Sequence, residues 1–156
     1  MMTEEKMPGT VVGMEKGFGD SAVDGLLAGV GAGLVMALVM ASGGLLWGET
    51  VADLFRRFAP EGGTSAAAGF LAHVAVSAIY GLLFALLWRL TGRRVRRRAA
   101  ARGVGVAYGV ALLAVARFVL LRGSGSSILE LTATVLAAGH VAYGLALGWL
   151  TARTGG

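Results

Sequence analysis

Cysteine is absent from this 156-residue chain, and histidine and proline occur twice each. The lack of cysteine excludes disulfides, thiolate metal sites and thiol catalysis, and leaves the redox compartment undetermined. Charge is scarce as well: Asp, Glu, Lys and Arg make up 15% of the chain, against about 25% in an ordinary soluble domain. The metalloprotease HExxH, the P-loop and a dinucleotide fingerprint after a strand are all missing. Ser77 has His73 one helical turn away, but this reading finds no Asp or Glu in the apolar core to orient such a pair. An enzyme is therefore not expected.

What the chain does have is apolar bulk in long blocks: 56% hydrophobic residues and 26 glycines, with a mean hydropathy of +0.72. A bilayer core about 30 Å thick takes about 20 apolar residues as a helix. Four such blocks fit, near 21–47, 65–90, 100–121 and 128–152. The expected fold is all-α, an integral membrane four-helix bundle over 21–152. A flexible polar tail, 1–20, precedes it and a short tail, 153–156, follows. No linker is long enough to separate a second domain.

Small residues recur every fourth position on these blocks. The first carries Ser21, Gly25, Gly29, Gly33, Ala37 and Ala41, and the second carries Gly69, His73, Ser77, Gly81 and Ala85. The third has Gly105 and Gly109, and the fourth has His140, Gly144, Gly148 and Ala152. Lipid gives helices no hydrophobic reason to associate, so close backbone approach through small residues is a main source of packing energy. These rows are expected to be helix contacts.

Between the first two blocks, Val51, Leu54, Phe55 and Phe58 fall on one side of a helix and Glu49, Asp53, Arg56 and Arg57 on the other. The segment 49–58 reads as an amphipathic helix lying in the membrane interface, ended by Pro60, Gly62 and Gly63. Arg117 lies near the end of the third block. It either snorkels to the headgroups or pairs with Glu49 or Glu130 at the same end.

The net charge of +5 is unevenly placed. Ten Lys and Arg fall on the side of the two termini and four on the other, which by the positive-inside rule puts both termini in the cytoplasm. The stretch Arg93–Arg102 is expected to meet anionic lipid headgroups, and nucleic acid is not expected as a partner.

The four blocks also read as two hairpins of one design, a parallel internal repeat about an axis along the membrane normal. In that reading Gly25 corresponds to Gly105 and His73 to His140, with the histidines facing one another at depths that agree within about 6 Å. The rows Gly25, Gly29 and Gly33, then His73 with Ser77, then Gly139 with His140, resemble those of small bacterial inner-membrane proteins of the YagU type and related uncharacterised families. The resemblance spans about 25–150. It implies a four-helix layout in the bacterial cytoplasmic membrane and carries no established activity.

Three functions remain open for the histidines. They could be axial ligands of a b-type haem, with Tyr80 and Tyr143 lining its pocket. They could stand on the polar path of a small transport or permeation protein. Or they hold together the bundle of a structural or accessory protein, as a homo-oligomer or within a larger membrane complex, which is the expected role.

Overall fold

The computed structural model describes residues 17–60, 63–91, 98–120, 122 and 127–154. Five α-helices carry the fold: α1 (Phe18–Leu46), α2 (Val51–Arg56), α3 (Ala66–Thr91), α4 (Arg98–Val115) and α5 (Ala133–Thr154). A π-helical turn, Ala116–Leu120, continues α4, and a 3-10 turn, Ser127–Glu130, precedes α5. No strand occurs among the described residues. Four of the helices are long and apolar enough to cross a membrane. Their outer faces carry exposed Leu27, Leu38, Leu71, Ile79, Leu87 and Val110, the surface a lipid solvent requires.

The helix ends follow local chemistry. α1 begins inside the stretch expected to be a tail, because the Asp20 carboxylate accepts the Gly17 amide at 3.0 Å and satisfies a free N-terminal donor. The rest of that tail, 1–16, lies outside the described residues. α1 ends in a Schellman motif: Gly48 takes φ +81°, and the amides of Gly48 and Glu49 donate to the carbonyls of Leu45 and Gly44. The fourth span starts at Ala133 rather than 128, since residues 127–130 form the separate 3-10 turn. Half of the arginine-rich stretch expected at the headgroups, residues 93–97, lies outside the described residues; in the other half, Arg102 is exposed on α4.

The glycine rows are the hairpin seams. A Cβ on Gly29 would sit 2.5 Å from the Ser77 carbonyl oxygen, and one on Gly25 would sit 2.6 Å from the Ala85 methyl. A Cβ on Gly81 would overlap the Gly29 backbone. In the second hairpin, Cβ atoms on Gly105 and Gly109 would overlap the carbonyls of Gly144 and His140, and one on Gly148 would overlap Ala101. No larger residue lets these backbones meet.

Those contacts settle the register of the repeat. Gly25 touches Gly81 and Ala85, as Gly105 touches Gly144 and Gly148; Gly29 touches Ser77, as Gly109 touches His140. So Gly25 does correspond to Gly105, but His140 corresponds to Ser77. His73 stands one turn, about 6 Å, nearer the end opposite the termini. The shared Tyr-Gly-Leu of residues 80–82 and 143–145 marks the same register in the sequence.

The halves join unequally. α1 packs on both α3 and α5, and α4 packs on α5. On the α1–α5 side, Ala32 and Met40 are fully buried, and Gly139 lets Met36 and Met40 lie against the α5 backbone. The repeat-related side, α3 against α4, has Val76 where α5 has Gly139 and Leu112 where α1 has Ala32. These larger residues line the gap between α3 and α4.

The amphipathic segment folds onto the bundle. Leu54 and Phe55 are buried, α2 packs on α3, and the Phe55 carbonyl lies against Gly69, where a Cβ would overlap it. Gly69 thus seats α2, and Ala37, next on the α1 row, is buried in the core.

Candidate functional site

Where α3 and α4 stand apart, a cavity of about 250 Å³ opens toward the end opposite the termini. Both histidines line it, together with Ser77, Tyr80, Tyr143 and Arg117. The sequence thus identified its polar residues, although it placed the histidines in the wrong mutual register. The rest of the wall is apolar, chiefly Val76, Leu112, Leu113, Ala116, Ile128 and Leu136.

The two rings do different things. His73 Nε2 lies 3.1 Å from the Gly33 carbonyl of α1. A carbonyl only accepts, so Nε2 carries the proton, and the ring joins α3 to α1. Phe58 packs edge-on against this ring at 5.3 Å between centroids, with Phe55 at 6.3 Å. His140 Nδ1 donates to the Leu136 carbonyl, 2.8 Å away and one turn back on its own helix. By the same logic the neutral His140 ring keeps its proton on Nδ1 and leaves Nε2 as an acceptor.

The tyrosines complete the frame. The Tyr143 hydroxyl donates to the Ser77 carbonyl at 2.8 Å, tying α5 to α3 across the bundle. The Tyr108 hydroxyl donates to the Tyr80 carbonyl at 2.9 Å, tying α4 to α3. Tyr108 also packs on Phe84 at 5.1 Å, below the level where α3 and α4 separate. Tyr108 was not singled out in the sequence. Its signal was a phenol on a membrane helix, which needs a partner for its hydroxyl.

At the rim the expected pairing of Arg117 with Glu49 or Glu130 does not form. Arg57 takes both carboxylates, Glu49 at 2.7 Å and Glu130 at 2.6 Å, and also donates to the Ser127 carbonyl at 3.1 Å. Arg57 is nearer to both because α2 is folded onto the bundle. Burial works against its charge, but the two carboxylates outweigh that and raise its pKa above the ordinary value. On α2, Thr50 caps the helix by accepting the Asp53 amide, and Asp53 pairs with Arg56.

One carboxylate, Asp24, lies near the start of α1 with one oxygen enclosed. It sits about 14 Å along the axis from Gly33, too far to orient His73 or Ser77. Among the described residues no group of three or more His, Cys, Asp or Glu could hold a metal ion. No family model, curated protein or solved structure matches the chain.

Proposed function

We propose that this membrane protein is a structural or accessory component of a bacterial cytoplasmic membrane, with both termini in the cytoplasm, and not an enzyme. One observation carries the reading. His73, Tyr108 and Tyr143 each spend a donor on a backbone carbonyl of a neighbouring helix. Polar groups used in this way fix which helices meet and at what register; they are not presented to a substrate. The ten-to-four split of basic residues supports the orientation, and the likeness to YagU-type proteins supports the location. The apolar outer surface suits lipid, a second copy or a larger membrane complex equally well.

The deciding experiment is the absorption spectrum of the purified full-length protein, paired with melting curves of His73→Leu and Tyr143→Phe. The accessory reading expects a colourless protein and lowered melting points. A Soret band lost in both His73→Ala and His140→Ala would replace it with the haem reading, which places both histidines on one iron. Flux through proteoliposomes lost in the same variants would replace it with transport.

A further inference from the structure

The cavity contains two polar features that the frame does not use, and they are complementary to one kind of molecule. The first is His140 Nε2. With the ring proton held by the Leu136 carbonyl, this nitrogen offers a lone pair and seeks a donor. The second is Arg117, on the π-helical turn at the cavity wall. It makes no ion pair among the described residues, because Arg57 occupies both Glu49 and Glu130. π-helical turns are rare and recur at functional sites. Between and below these groups the wall is apolar, and the separated α3 and α4 backbones leave a side open to lipid.

We propose that this cavity binds a single-chain amphiphile with a carboxylic acid head, a long-chain fatty acid. The head sits between His140 and Arg117, and the chain runs past Val76 and Leu112 and out between α3 and α4. The acid O–H donates to Nε2. If its proton crosses to the ring, the carboxylate is left between an imidazolium and a guanidinium, with net charge unchanged. Other amphiphiles match less well. An alcohol satisfies His140 but leaves Arg117 without an anion. A phosphodiester lipid satisfies Arg117 and can offer Nε2 only a separate headgroup hydroxyl, and it brings two acyl chains where the gap between α3 and α4 is proposed to take one. A quinone brings acceptors where His140 needs a donor. The proposal adds a ligand to the accessory reading and does not depend on it.

Native mass spectrometry of the full chain in a neutral detergent tests this, with hexadecanoic acid, hexadecanol and phosphatidylglycerol as probes. One hexadecanoic acid should bind, about tenfold more tightly than hexadecanol. Arg117→Gln should lose about that factor for the acid and leave hexadecanol unchanged, while Arg117→Lys keeps most of the acid affinity. His140→Leu should weaken acid and alcohol together. Arg117 is exposed, so its variants should elute and melt like the parent protein. Equal binding of acid and alcohol would overturn the proposal. So would displacement of the acid by an equal concentration of phosphatidylglycerol, or loss of acid binding in Arg117→Gln and Arg117→Lys alike.

Discussion

The contact of α1 with α5 and the gap between α3 and α4 are the same place in the two halves of the repeat, one shut and one open. On the shut side, Ala32 and Gly139 leave space that Met36 and Met40 fill. On the open side, Leu112 and Val76 stand in the corresponding positions and line a cavity. The hairpin seams themselves are alike, glycine on glycine in both halves. A membrane bundle can therefore acquire an internal cavity without altering its hairpins. The two larger side chains stand at the inter-hairpin contact that is open.

The largest effect should come from overfilling the shut side. A Cβ on Gly139 would already lie 2.8 Å from Met40 Cγ, and Gly139→Leu adds three more carbons. It should cost about 1–3 kcal/mol or more by overpacking. Its counterpart Val76→Leu, facing the cavity, should stay within about 0.5 kcal/mol. Thermal melting in detergent compares them, and equal losses would end the distinction between the two sides.

Next come the histidines, one on each kind of duty. His73→Leu removes a buried bond between helices and should cost about 1–2 kcal/mol. His140→Leu removes a bond within one helix, where the carbonyl keeps its helical partner, and should cost less than about 0.5 kcal/mol. The reverse order of melting points would mean that the His140 bond along α5, not the His73 bond between α3 and α1, carries the larger share of stability.

The tyrosines sharpen the comparison further. Tyr143→Phe gives up a buried bond across the bundle, about 1 kcal/mol by measured membrane-protein hydrogen bonds. Tyr108→Phe gives up a half-buried one at the floor of the open side and should cost about half as much. A double-mutant cycle should find them nearly additive, because they tie different helices to α3. Strong coupling would mean that the two bonds form a single unit.

The smallest effect lies on α2. The Thr50 hydroxyl and then the Arg56 charge hold the Asp53 carboxyl below its ordinary value of 3.8, against a smaller opposing effect of burial on the acid. A depressed carboxylate stabilises the folded state above the unfolded pKa, and that contribution is lost as pH falls through the folded one. Asp53→Asn should flatten the melting-point profile slightly below about pH 4 and leave neutral pH almost unchanged. An unchanged acid limb would show that α2 does not depend on this cap.

The architecture was legible because its signals are local. Span length and glycine spacing can each be read within a few turns. Register across the repeat was not, because two histidines are a stronger visual anchor than the Tyr-Gly-Leu that actually aligns. The cavity's residues were readable, since polar groups on apolar helices must face inward. Its cause was not, because it depends on which pairs of side chains meet between hairpins. The packing of α2 was not legible for a related reason. An amphipathic segment buries its apolar face equally well in lipid or in protein, and the choice was made by Gly69 on another helix.

The unequal seams also divide the chain by its tolerance of substitution. At Gly29, Gly81, Gly105 and Gly144 the opposing atoms are backbone, which cannot rotate away, so even alanine demands that two helices move. Val76, Leu112, Leu113 and Ala116 instead line the cavity, where a change of size meets open space on that side. Substitutions can therefore reshape the cavity one residue at a time while the hairpins stay as they are. The seams are set by positions that cannot change size, and the cavity by positions that can.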